Sequence, residues 1–198
     1  SGARTVTFEN SNSHFNELVV GSNTKLYWEG DFVINPLLHD LTIYNGVTML
    51  SANTINLNGH TLTIKGDLIQ SGGTMFCNKG TLNVEGNYRI QEVTSDNDGK
   101  ITYSESTGNL QMVNEADQVN VSGDFVMQST YGDSMDRNKF SAGTLTVKGN
   151  FSQLYGTNCG GQNFVAIGSH KVVLDGSGVQ TVTFENSQSQ FNELILTK

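Results

Sequence analysis

The chain has 198 residues, 22 of them glycine and only one proline, and a net charge of −8. That length suits one sizeable core or one elongated domain, and the composition suits short strands joined by tight turns rather than a helical bundle. The acidic balance, with no cluster of Lys and Arg, argues against nucleic acid or an anionic membrane as partner, and no apolar run approaches the roughly 20 residues that span a bilayer.

The first element announces a duplication. TVTFENSNSHFNELVV, Thr5 to Val20, returns as TVTFENSQSQFNELIL, Thr181 to Leu196, with four differences: Asn12/Gln188, His14/Gln190, Val19/Ile195 and Val20/Leu196. The offset from Thr5 to Thr181 is 176 residues, which reads as the period of a tandem array: a single module over 1–198, with one repeat at 5–180 and the next copy beginning at 181. Phe8 and Phe184 alternate with polar neighbours and are expected in a core. His14 becomes Gln190 in the second copy, so it is not expected to carry chemistry.

A shorter period follows. The pattern apolar, x, apolar, x, Gly occurs in LYWEG (26–30), LTIYNG (41–46), TLTIKG (61–66), TLNVEG (81–86), VNVSG (119–123), TLTVKG (144–149) and VVLDG (172–176). The glycines at 30, 46, 66, 86, 123, 149 and 176 are separated by 16, 20, 20, 37, 26 and 27 residues. ITYSE (101–105) lies where the step of 37 leaves room for a missing copy, so the 176-residue unit is expected to hold about nine turns near 20 residues each. The segment 61–80 divides into TLTIKG, DLIQSG and GTMFCNKG, three alternating stretches each closed by Gly. Alternation sets Leu62 and Ile64 on one face and Thr61 and Thr63 on the other. Three short strands per turn at a fixed period predict an all-β fold, a single-chain parallel β-helix whose turns stack about 4.8 Å apart. Right-handedness is expected, because left-handed solenoids keep stricter hexapeptides. A β-sandwich is the alternative, although its strands have no reason to repeat one Gly corner.

Directly after these glycines stand Asp31, Val47, Asp67, Asn87, Asp124, Asn150 and Ser177. Gly followed by Asn or Asp suits a bend at positive φ, and stacked Asn side chains can bond up a column. No two Asp fall on consecutive turns, which fits a repulsion of roughly 1 to 3 kcal/mol between carboxylates about 5 Å apart.

Three stretches break the rhythm and are expected as loops: 95–100, 128–143 and 154–164. Asp96 and Asp98 resemble the opening of a calcium loop, but the oxygen, Gly and Glu required further on are replaced by Lys100, Ile101 and Thr107. Calcium is therefore a weak expectation and no cofactor the stronger one. Asp133 and Asp136 form a similar acidic cluster, partly neutralised by Arg137 and Lys139. For stacking on sugar rings the candidates are Tyr27 and Trp28, adjacent and so on opposite faces of a strand, together with Tyr88, Tyr103, Tyr131 and Tyr155. Cys77 and Cys159 fit no metal site; two separate thiols and one disulfide both remain open. The scattered His14, His39, His60 and His170 form no constellation. Carboxylate pairs among Asp96, Asp98, Asp133 and Asp136, or Glu29 with Asp31, lack an apolar setting to tune them for glycoside hydrolysis.

HKVVLDGSGVQTVTFENSQSQFNELILTK (170–198) and the TLxVxGN corners at 81–87 and 144–150 resemble a repeat of very large secreted or wall-associated proteins of Firmicutes, some with fibronectin-type and RHS-like toxin regions. The resemblance implies a secreted or cell-wall location and a stalk, adhesin or presentation role, and it brings no catalytic residue. The expectation is a non-enzymatic module. It would extend a surface protein, contact neighbouring repeats, and bind a surface glycan or host protein through its loops. The alternative is a polysaccharide lyase or hydrolase on the same scaffold.

Overall fold

A computed structural model describes residues 26–27, 33–34, 36–44, 46–49, 54–130, 139–157 and 163–197. Every regular element among them is a short strand. The chain passes β1 (Leu26–Tyr27) and β2 (Val33–Ile34), then makes a circuit of β3 (Leu41–Ile43), β4 (Val47–Met49) and β5 (Thr54–Asn56). It repeats that circuit with β6 (Thr61–Ile64), β7 (Leu68–Gln70) and β8 (Thr74–Phe76). The next comprises β9 (Thr81–Val84), β10 (Tyr88–Ile90), a side excursion through β11 (Glu92–Ser95) and β12 (Ile101–Ser104), and β13 (Asn109–Gln111). The pairs β14 (Gln118–Val121) and β15 (Phe125–Met127), β16 (Thr144–Val147) and β17 (Phe151–Gln153), and β18 (Lys171–Leu174) and β19 (Val182–Phe184) open three more, before β20 (Glu193–Leu196). Single parallel bridges at Phe140, Ala166 and Gln190 stand where their third strands would lie.

Equivalent strands of successive circuits pair in parallel. The first sheet runs β3-β6-β9-β14-β16-β18-β20, the second β1-β4-β7-β10-β15-β17-β19 and the third β2-β5-β8-β13. This is the stacked, solenoid-like coil that the 20-residue period predicts. Strands β6, β9, β14, β16 and β18 share one alternation of half-buried and buried positions. In-register pairing therefore turns each inward position into a column. Leu62, Leu82, Val119, Leu145, Val172 and Leu194 form one column, and Ile64, Val84, Val121, Val147, Leu174 and Leu196 form the next. On the second sheet Tyr88, Phe125 and Phe151 form an aromatic column, Tyr88 edge-on to Phe125 at 5.5 Å between centroids and Phe125 stacked on Phe151 at 5.3 Å. Phe140 and Phe164 face them from the third side, 4.4 Å from each other.

Two expectations fail. ITYSE is no turn of the coil: β12 pairs antiparallel with β11 in a hairpin standing outside the circuit, so the step of 37 is one coil carrying an insertion and the count of about nine turns includes a coil that does not exist. LYWEG is no counterpart of LTIYNG either, because Leu26 and Tyr27 pair with Val47 and Thr48 in the second sheet, whereas β3 belongs to the first. Alternation marks a half-buried strand but not the side of the coil on which it lies.

The corner between the first and second sheets holds a ladder. Asp67 Oδ1 accepts the Asn87 backbone N–H at 2.6 Å and its side-chain amide at 3.2 Å, and Asn87 Oδ1 accepts the Asp124 N–H at 2.8 Å. Asp124 Oδ1 accepts the Asn150 N–H at 2.7 Å and its amide at 3.2 Å, and Asn150 Oδ1 accepts the Thr181 N–H at 2.8 Å. Each side chain thus caps the backbone one coil on, and the Asp/Asn interleaving keeps carboxylates from adjoining. Asp31 lies outside the described residues. The glycines serve this ladder differently from expectation. Gly86, Gly123 and Gly149 are not among the positive-φ residues. What they supply is room: a Cβ on Gly123 or Gly149 would stand 2.5 Å from Asn87 Oδ1 or Asp124 Oδ1, and one on Gly86 would run into Asp67 Oδ1.

Gly123→Ala should therefore lower stability by about 1 to 3 kcal/mol in urea unfolding, whereas a glycine at negative φ with open space around it would show a small change of either sign. Asn87→Asp would put three carboxylates on consecutive coils; its stability should fall at low ionic strength and partly recover in high salt, where screening shortens the reach of the repulsion.

Candidate functional site

The longest insertions fall at one corner of the coil, although 175–181 between β18 and β19 also lengthens the first-to-second corner. The first-to-second corner keeps one length in four coils, at 65–67, 85–87, 122–124 and 148–150. The second-to-third corner is residues 71–73 between β7 and β8, but widens to 91–108 in the next coil. It stays wide at 128–139 and 154–164, before Phe140 and Val165 rejoin the third side. Of these segments, 131–138 and 158–162 lie outside the described residues.

On this corner a chain of polar contacts climbs from coil to coil. The Arg89 guanidinium lies 4.9 Å from the centroid of the Tyr103 ring on β12, and its Nη1 donates to Gln91 Oε1 at 3.3 Å. Gln91 Nε2 donates to Gln128 Oε1 at 2.9 Å, and Gln128 Nε2 to the Tyr155 carbonyl at 3.0 Å. The Tyr155 N–H donates to Glu185 Oε2 at 2.7 Å, and Thr157 Oγ1 to Glu105 Oε2 at 2.5 Å. Gln91 is buried, whereas Arg89 and Gln128 are half-buried. Tyr103 and Tyr155 are 41% and 58% exposed, so the rings rather than the amides meet solvent first.

Of the expected sugar-stacking residues, Tyr155 and Tyr103 are thus brought to one corner. Tyr88 is not: it occupies an inward position of β10, is fully buried, and donates its hydroxyl to Gln70 Oε1 at 2.6 Å. Burial pushes its phenol well above the usual range. Trp28, Tyr131, Asp133, Asp136 and Cys159 lie outside the described residues, as does the side chain of Tyr27. Asp96 forms the hairpin turn, its Oδ1 accepting the N–H groups of Asp98 at 3.0 Å and Lys100 at 2.8 Å. No group of three or more His, Cys, Asp or Glu able to hold a metal is found among the described residues. Cys77 is a free, buried thiol; burial first, and then the Asp117 carboxylate, raise its pKa. Arg89, Gln91 and Gln128 carried no sequence signal, since only the coil sets residues 37 apart side by side.

Two buried polar groups have structural roles. Asp117 is fully buried and accepts the N–H groups of Lys79 at 2.6 Å, Val113 at 2.7 Å and Asn114 at 2.9 Å, closing the turns that lead back to the first sheet. His170 lies edge-on to Phe140 and Phe164, centroids 5.4 Å and 5.9 Å away, with neither ring nitrogen hydrogen-bonded. Burial lowers its pKa to about 4. Among the described residues it has no carboxylate partner, and its full burial keeps it from contact with solvent.

Comparison with protein-family models, curated proteins and solved structures finds no match to this chain.

His170 makes stability depend on pH. The folded chain holds the neutral ring, so below pH 6.5 the unfolded chain takes up a proton that the folded one refuses until about pH 4. Stability should fall across that window by up to about 3 kcal/mol and level off below it. His170→Phe should remove this slope in urea titrations at successive pH values.

Proposed function

We propose that this chain is a non-catalytic, right-handed β-solenoid module that extends a secreted or wall-associated surface protein by stacking repeat upon repeat. Right-handed passage between parallel strands of one sheet is the strong rule for such connections. The observation that carries the reading is the state of the last coil. Leu194 pairs in register with Val172, and Leu196 with Leu174, so both continue columns that are otherwise buried. Yet they are 42% and 66% exposed, and Val182, on the last strand of the second sheet, is exposed as well. This apolar edge is built from the segment that restates Thr5 to Val20, so the sequence itself supplies a continuation: the residues that follow Val20 in the first copy. Unpaired parallel edges with open core columns favour further stacking.

Sedimentation of the chain over a wide concentration range should show end-to-end association. Leu194→Lys and Leu196→Lys should abolish it with little effect on melting temperature, since both residues are exposed in the single chain. Strictly monomeric behaviour at every concentration, or turnover on a polysaccharide panel followed by reducing ends and unsaturated products, would overturn the reading.

A further inference from the structure

We propose that the widened corner between the second and third sheets binds a neutral, extended polysaccharide lying along the coil axis. The corner lengthens in three consecutive coils, while the first-to-second corner keeps its length in those same coils. Loops on one edge of a rigid scaffold are where recognition residues concentrate, and described residues from all three of these stretches lie on that edge. The loops also touch: the Thr157 hydroxyl of one donates to the Glu105 carboxylate of another at 2.5 Å.

The chemistry of this surface fits sugar. Tyr103 and Tyr155 present exposed rings, and an aromatic face is the usual platform for the C–H face of a pyranose. Arg89 sits against the Tyr103 ring and steadies it by a cation–π contact. The coil of Tyr155 stands two above that of Arg89, a rise of about 10 Å at about 4.8 Å per coil, the reach of about two sugar units. Between them Gln128 is held by Gln91 and by the Tyr155 carbonyl, and an amide offers both a donor and an acceptor to hydroxyl groups. Among the described residues of this corner Arg89, Lys100 and Lys139 are outnumbered by Glu92, Asp96, Asp98, Glu105 and Glu185, so a polyanion would meet a repulsive field. A neutral glycan would not.

This site is independent of stacking between repeats and is tested on the single chain at low concentration. In affinity gel electrophoresis, at least one of three neutral polymers, a β-1,4-glucan, a β-mannan or a galactan, should retard the protein, and polygalacturonate should not. Tyr103→Ala and Tyr155→Ala should each weaken that binding by about tenfold. Tyr103→Phe should stay near wild type, and Tyr44→Ala, which removes an exposed tyrosine elsewhere on the coil, should have no effect. Unchanged far-UV circular dichroism of each variant would separate lost binding from lost fold. Failure of all three neutral polymers, equal or stronger retardation by polygalacturonate, or an equal loss with Tyr44→Ala would overturn the proposal.

Discussion

The structure depends on coils stacking in register at the spacing of a parallel sheet. Once Leu62 stands opposite Leu82, and Leu82 opposite Val119, a residue is never chosen alone. Its neighbours above and below sit about 5 Å away and must be of compatible size and charge. That requirement makes the core a bundle of columns, aliphatic along the first sheet and aromatic where Tyr88, Phe125 and Phe151 follow one another. It also decides the wet side. Asp67, Asn87, Asp124 and Asn150 share one column, and there a neutral amide between two carboxylates turns repulsion into a continuous run of hydrogen bonds.

The same ladder explains where the molecule can vary. At the first-to-second corner each side chain bonds the backbone of the next coil and fills the space that a Cβ on the neighbouring glycine would need. Chain is added there only at the last rung, 175–181, where Asn150 Oδ1 still accepts the Thr181 N–H at 2.8 Å. The return to the first sheet is similarly tied, by Asp117 and by the Asn78 amide donating to Asn56 Oδ1 at 3.1 Å. The second-to-third corner carries the longest inserted chain, and its contacts through Gln91, Gln128 and Tyr155 link the coils beside the insertions rather than fixing their length. The hairpin β11–β12 is the largest described example, and through Arg89 and Tyr103 it is anchored to the coil rather than detached from it. The stack therefore carries its largest elaboration on one edge.

Much of this was legible in the sequence because a solenoid repeats its physics. The spacing of Gly corners carried the coil and its parallel stacking, and the Asp/Asn interleaving correctly marked a side-chain ladder. The role of the corner glycines was misread, since a preference for positive φ and a need for room leave the same residue in the chain. ITYSE alternates as well as any true coil strand, and only its antiparallel pairing with β11 showed it to be an insertion. Tyr88 looked like a binding residue because a tyrosine at an inward position and one at an outward position differ only in register. Gln91 and Gln128 carried no signal at all: their contact spans residues that the coil alone makes neighbours.

By itself, then, the sequence determined the strand class, the stacking period, the duplication of Thr5 to Val20 at Thr181 to Leu196, and the rule that carboxylates do not adjoin along a column. These are local or periodic properties, written wherever neighbouring coils impose the same demand. Tertiary structure alone decided which side of the coil each strand occupies, which alternating segment leaves it, and that the longest insertions fall on one edge. Those follow from register between residues far apart in sequence, and no local pattern encodes a register.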